Sequence, residues 1–186
     1  SENYIMPYLV KFNQLYPQVT IKMVNRTSLE IIDLLKNGQI EIGFVNMPLH
    51  DEAITIQECL QVHDIFVSKN PEEKVYSLQE LSHESLILLE RSSNSRQYVD
   101  YHFASQGLLL TSSIELGSHD LLLEAAKNNL GKACVIKEFS LEELNNQDIY
   151  EIKINPPIPK RSIGYAHLTR KTLTPAALKF IELFHI

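Results

Sequence analysis

Residues 18–46, QVTIKMVNRTSLEIIDLLKNGQIEIGFVN, set the fold class of this chain. Val19, Ile21 and Met23 alternate with Thr20 and Lys22, the two-residue period of a strand. Thr27 stands three residues before Glu30, a capping box whose side chains satisfy the first free N–H groups of a helix. Leu29, Ile32 and Leu35, with Ile31 and Leu34 beside them, give that helix an apolar face. Asn37-Gly38 ends it, because glycine takes the left-handed C-terminal position without steric cost. Ile40, Ile42 and Phe44 make a second strand. A strand, a helix and a strand with tight joins predict a parallel pair with a right-handed crossover. Ligands of such open sheets sit beyond the carboxyl ends of the strands, which directs attention to Asn25, Arg26, Thr27, Ser28 and Asn46. The unit specifies a fold and not a chemistry.

Upstream of this stretch, Tyr4, Tyr8, Phe12 and Leu15, with Ile5 and Leu9, recur near the helical period. Pro7 is tolerable in a first turn, so the helix begins around Ile5, and Tyr16-Pro17 closes it. Downstream, Met47-Pro48 turns the chain, and Ile54, Ile56 and Ile65–Val67 predict two further strands. The polar segment Lys69–Lys74 reads as the exit from a first lobe. A second lobe repeats the alternation: a short helix with Leu78 and Leu81, a buried strand at Leu86–Leu89, and a polar turn, Arg91–Ser95, opening the helix of Tyr98, Tyr101 and Phe103. Ile114 and Leu116 continue the sheet, Ser118 caps a helix over 119–129 that Gly131 ends, and Ala133–Ile136 is the next strand. A brief helix at Leu141–Leu144 precedes a strand at Ile149, Ile152 and Ile154. After the stiff Pro156–Pro159 segment, Ile163, Tyr165 and His167 predict a strand that returns to the first lobe, and Thr174-Pro175 opens the last helix. The expected architecture is α/β with two lobes, residues 1–66 with 165–186 and residues 67–164. Each lobe is a mixed sheet flanked by helices, and two extended crossings act as the hinge of a clam-shell.

The bulk numbers agree with a globular protein. The chain has 186 residues, 44% apolar and 22% charged, with a net charge of −6. A protein that grips nucleic acid by itself shows a basic stripe, and here lysines and arginines are scattered among acids. No apolar run approaches bilayer length and no leader pattern opens the chain. With only two cysteines, Cys59 and Cys134, a disulfide framework is unsupported and a reducing cytosol is expected.

The order of elements resembles the effector-binding domain of LysR-type transcriptional regulators, which shares its architecture with type 2 periplasmic solute-binding proteins. The phrases that carry the resemblance are Tyr4-Ile5-Met6-Pro7 with Phe12, Tyr16-Pro17 and Val19; Leu34-Leu35 with Gly38 and Ile40–Gly43; Leu78 and Leu81 with Leu86-Ile87; the Ser92–Ser95 turn; Ala125 with Gly131; and Phe180-Ile181. The family begins with a strand before the first helix, and its regulators carry a helix-turn-helix; both lie outside this chain. Where the family often has a second glycine and a proline after Gly131, this chain has Ala133 and Lys137.

The Arg91–Arg96 turn is the best candidate site. Ser92, Ser93, Asn94 and Ser95 offer hydroxyls and an amide at a helix N-terminus, whose N–H groups favour an anion; the competing reading is a cap that satisfies only its own helix. Ser118 opens a second helix beside Asp120, which already complements that dipole. Arg26-Thr27 could pair with a carboxylate from the other lobe, or be a solvated charge near Glu30. The resemblance implies effector contacts at the serine turn and a hydroxyl from Ser1; Asn46 is a candidate from its place at a strand end. It implies an antiparallel homodimer through the first helix, with Tyr4, Tyr8, Lys11 and Phe12 at the interface, inside a homotetramer, and DNA contact only through the missing domain.

No catalytic pattern competes. His50-Asp51, His63-Asp64 and His119-Asp120 recur, yet metal ligands converge at spacings such as H-E-x-x-H, which are absent. There is no G-x-S-x-G elbow and no phosphate-cradling glycine loop. Cys134 lies in an apolar strand, so a buried thiol is favoured over a redox switch. The leading expectation is a cytoplasmic, effector-sensing and oligomer-forming domain without cofactor, metal or catalysis, binding a small polar or anionic metabolite between its lobes. The alternatives are a transporter's solute-binding protein and a dehydratase-type cleft enzyme, the latter needing an acid/base pair of displaced pKa.

Overall fold

Thr27 and Glu30 cap the second helix reciprocally: the Glu30 N–H donates to Thr27 Oγ1 at 3.3 Å and the Thr27 N–H to Glu30 Oε2 at 3.4 Å. The helix, α2 (Ser28–Lys36), ends as its sequence predicts. Gly38 takes φ +72°, while the Gly38 and Gln39 N–H groups close back onto the Leu35 and Leu34 carbonyls. This computed structural model describes residues 5–24 and 26–185. Ser1, Tyr4 and Asn25, singled out above, lie outside the described residues.

The chain divides into two compact units, residues 1–61 with 161–186 and residues 62–160. The expected boundaries at 66 and 164 fall a few residues late. The cause is β3 (Asp64–Ser68), all five of whose residues are buried in the sheet of unit 2. The polar Lys69–Lys74 segment therefore lies inside unit 2 rather than at an exit.

Unit 1 opens on α1 (Met6–Leu15), with Pro7 in its first turn and Tyr16 as C-cap. Its sheet runs β1 (Gly43–Met47), β10 (Arg161–Leu168), β2 (Ile54–Val62), with β1 and β10 antiparallel. Ile31, Ile32 and Leu35 of α2 pack on Val45, Ile54 and Ala166. Phe44, one residue out of phase with Val45, belongs to the other face. There Phe180 of α7 (Pro175–Glu182) meets Phe12 at 5.5 Å, and Phe184 meets Phe44 at 5.4 Å and Tyr8 at 4.1 Å. Phe12 is therefore a core residue, 3% exposed, and not the interface residue expected of it.

One expectation fails here. Val19, Ile21 and Met23 form no strand: residues 18–24 are irregular, and the parallel pair anticipated from the sequence does not exist among the described residues. A strand persists only where its N–H and C=O groups find a ladder, and β1 finds its ladder in β10 instead.

Unit 2 is a five-stranded sheet, β6 (Ile114–Leu116), β5 (Leu86–Leu89), β7 (Lys132–Ile136), β3 and β8 (Tyr150–Glu151). Strand alternation divides its apolar residues between two faces. Phe66, Leu86 and Leu88 pack with Val99 and Phe103 of α4 (Asn94–Ser105). Ile65, Val67 and Ile87 pack with Leu122 and Ala126 of α5 (His119–Lys127). The strand expected across Ile149–Ile154 is split: β8 joins this sheet, whereas β9 (Lys153–Ile154) pairs with β4 (Val75–Tyr76) near the short α3 (Leu78–Ser82). The brief predicted helix is α6 (Leu141–Asn145).

Gly131 does not terminate α5. Asn129 does, at φ +58°, with the Leu130 N–H bonded to Ala125 O. Gly131 is needed for a different reason: its φ is +155°, and a Cβ there would stand 2.7 Å from the Ser85 carbonyl oxygen. Gly131→Ala is expected to destabilise the chain by about 2 kcal/mol, lowering the thermal midpoint by roughly 4–8 °C at this size; an unchanged midpoint in a melting scan contradicts this packing.

Candidate functional site

Two helices of unit 2 begin where two neighbouring parallel strands end. β5 pairs in parallel with β6, Leu89 opposite Leu116. The chain leaves β5 through Glu90–Ser93 into α4, and leaves β6 through Gly117-Ser118 into α5. Adjacent parallel strands thus bring the two N-terminal turns together, a place where open sheets hold ligands. Each turn is capped. Ser93 Oγ accepts from the Arg96 N–H at 3.0 Å, and Ser118 Oγ accepts from the Leu121 N–H at 3.3 Å. Ser92 is exposed, and Asn94 and Ser95 are half-buried.

Arg96 fixes the first turn. Its side chain is 2% exposed; Nε donates to Asp100 at 2.9 Å, and Nη1 donates to the Leu89 carbonyl at 2.8 Å and to Glu115 at 3.3 Å. A single planar fork therefore ties α4 to the end of β5 and to β6. The Ser112 hydroxyl and the Arg96 guanidinium hold the Glu115 carboxyl below the usual carboxylate range. Negative charge already surrounds the turns. A Cβ on Gly117 would lie 3.4 Å from Glu90 Oε1, Asp120 stands in the first turn of α5, and exposed Arg91 lies 3.7 Å from Glu115. An anion here meets N–H groups and hydroxyls framed by carboxylates, which favours a small ligand with one well-placed charge over a polyanion.

Unit 1 supplies its own polar cluster. Asn46, at the carboxyl end of β1, donates its N–H to Ser28 Oγ at 3.0 Å, and its Oδ1 accepts from Arg161 Nη1 at 2.7 Å. Arg161 is 4% exposed. The sequence reading singled out Asn46 and missed Arg161. The signal was present in the period: Arg161, Ile163 and Tyr165 share one parity of β10, so a strand with its apolar residues inward carries the arginine inward too. The Thr27 hydroxyl is engaged in its capping box, and Arg26 is exposed.

The histidine–aspartate dipeptides are dispersed. His63 Nδ1 meets Glu138 at 2.8 Å, and Asp51 pairs with Lys36 at 2.6 Å. His119 is buried, its Nε2 accepting from the Ile136 N–H at 3.0 Å and its ring edge-on to Phe139. No group of three His, Cys, Asp or Glu that could hold a metal occurs among the described residues. Cys59 donates its S–H to the Ile163 carbonyl, and burial pushes its thiol up to about 11, far from a reactive thiolate. No helix among the described residues is long and apolar enough to cross a membrane.

Two α/β units, the second built on a mixed sheet, with polar groups gathered at helix N-termini and strand ends, define the class of type 2 periplasmic-binding-protein-like ligand-binding domains. The model of the LysR substrate binding domain matches residues 1–185, and the chain belongs to that family. Among curated relatives, it is 25% identical over 185 residues to the HTH-type transcriptional regulator YeiE of Escherichia coli strain K12, covering 97% of this chain and 63% of YeiE. The chain thus spans under two thirds of that relative. Among solved structures, the CcmR regulatory domain of Synechocystis PCC6803 in complex with 2-PG superposes with a TM-score of 0.81 at 19% identity, over 98% of this chain and 90% of CcmR. The effector-binding domain of QuiR in complex with shikimate gives 0.74 at 16% identity, over 99% and 90%.

Burial lowers the His119 pKa to about 4, from an ordinary value of 6.5. The unfolded chain then binds the extra proton between those values, so stability present above about pH 6.5 is lost as pH falls towards 4, by up to about 3 kcal/mol. Urea unfolding across pH 4–7 is expected to show this slope, and His119→Gln to flatten it; an equal slope in both proteins assigns it to other groups.

Proposed function

We propose that this chain is the effector-sensing and oligomer-forming part of a LysR-type transcriptional regulator of the cytosol, without catalysis of its own. The observation that carries this reading is the pair of capped helix N-termini at the ends of β5 and β6, the first locked by buried Arg96. The effector is a small polar or anionic metabolite, held by Ser92–Ser95 and Ser118 of unit 2 together with Arg26, Thr27, Asn46 and Ser1 of unit 1. A ligand that engages both units differently in two arrangements biases the equilibrium between them, and coupling of about 1–3 kcal/mol is sufficient to change how an attached DNA-binding domain sits on its operator. Dimer formation uses α1, where Tyr8 and Lys11 join exposed Met6 and Val10, and Tyr4 in the sequence just before it.

A thermal-shift panel of small anionic metabolites, with shikimate and 2-PG included, tests the site. A ligand at a hundred times its dissociation constant adds about 2.7 kcal/mol, a rise of roughly 5–11 °C for a chain of this size. The double variant Ser93→Ala/Arg26→Ala, measured against its own ligand-free midpoint, is expected to lose at least half of the best compound's shift. A full shift in that variant places the ligand elsewhere.

A further inference from the structure

β2 belongs to the sheet of unit 1 and β3 to the sheet of unit 2, and a single residue, His63, joins them. Its hydrogen bonds all go to one short segment, the 3-10 helix Lys137–Phe139 that follows β7. The His63 carbonyl accepts from the Lys137 N–H at 2.9 Å. The His63 N–H donates to Glu138 Oε1 at 2.7 Å, and its ring Nδ1 donates to Glu138 Oε2 at 2.8 Å. A carboxylate only accepts, so Nδ1 carries a proton. Both oxygens of one side chain thus grip the joint. With the His63 side chain 48% exposed, that grip is modest and can be released.

The same segment reaches the turn that opens α5. Ile136, the last residue of β7, donates its N–H to His119 Nε2 at 3.0 Å, and its carbonyl accepts from the Ser140 hydroxyl at 2.8 Å. Ser140 is fully buried, and its N–H closes the 3-10 turn on the Lys137 carbonyl at 2.9 Å. Phe139 stands edge-on to the His119 ring, 6.1 Å between centroids. His119 is the first residue of α5, directly after the cap Ser118. Because Nε2 accepts, the ring proton is on Nδ1, which is buried and has no partner among the described residues. A buried donor left unmet is costly, so the ring is only loosely committed to this seat.

We propose that Lys137–Ser140 is a conformational relay. A shift of the α5 turn moves the His119 ring, the ring moves the end of β7 through the Ile136 N–H, and the 3-10 helix then resets the grip of Glu138 on His63. Every link is a hydrogen bond or a peptide bond, so the route is continuous. The relay rests on the reading that a ligand engages the turn opening α5. It adds to that reading the route by which binding there reaches the joint that continues into β2. A ligand that favours one seat of the His119 ring biases the joint by as much as it discriminates between the two. The turn opening α4 is anchored separately, by Arg96.

Amide hydrogen exchange on the ligand-free chain tests this in Glu138→Ala, which removes both carboxylate bonds to His63. The relay predicts that the Leu121 and Leu122 amides, bonded to Ser118 Oγ and O, exchange at least about tenfold faster than in the unsubstituted chain. The amides of Leu86–Leu89 and Arg96–Gln97 are expected to keep their rates. Coupling is reciprocal, so His119→Ala is expected to speed exchange at the His63 amide by a similar factor. Unchanged rates at Leu121 and Leu122 in Glu138→Ala overturn the proposal, whatever His119→Ala does. An acceleration equally large at Leu86–Leu89 is general opening of the unit, and overturns it too. No ligand takes part, so a ligand that seats elsewhere leaves these rates as predicted, and failure of the relay leaves the thermal-shift outcome as it stands.

Discussion

The N-terminal turn of α4 is held in place by Arg96. Its guanidinium is buried, and such a charge is tolerated only where hydrogen bonds and counter-charges surround it. It finds them on three elements: Asp100 one turn along α4, the Leu89 carbonyl at the end of β5, and Glu115 of β6. The consequence is geometric. The N-terminal turn of α4 cannot tilt without breaking a charge-assisted bond at low dielectric, so the orientation of that turn is fixed by the fold. A turn fixed in this way would cost a ligand that bound there little ordering.

Unit 1 solves a parallel problem differently. Arg161 enters from a strand rather than a helix, and Asn46 links it to Ser28 at the start of α2. An amide between two elements fixes a register without adding charge. The opposite face of the same sheet is held by aromatic rings from α1, β1 and α7, the first and last helices of the chain. Unit 1 is therefore closed by contacts between sequence-distant segments. Unit 2 is built from one continuous stretch whose strands divide their apolar side chains between two helical layers.

Much of this was legible in the sequence because it is local. Thr27 with Glu30, Ser93, Ser118 and Thr174 each announced a helix start, and each is an observed cap. The buried run at Leu86–Leu89 read correctly since a strand covered on both faces needs no alternation. What escaped was decided by partners distant in sequence. Val19–Met23 has the right period and no ladder among the described residues. Phe12 was placed on a surface because its partner Phe180 comes so late in the chain. Gly131 was assigned to a helix end that Asn129 supplies, since a glycine after a helix is usually read as its cap; the Ser85 carbonyl beside it cannot be foreseen from neighbours. Arg161 was passed over, and its partner Asn46 lies 115 residues earlier in the chain.

The central claim is that a small anion seats on the turns opening α4 and α5. Amide chemical-shift mapping of the isotopically labelled chain, titrated with the compound that stabilises it most, examines that claim directly. The account predicts that the largest saturable shifts fall on Asn94–Gln97 and Ser118–Leu121. Saturable shifts confined to other residues, with those two turns unmoved, would contradict it.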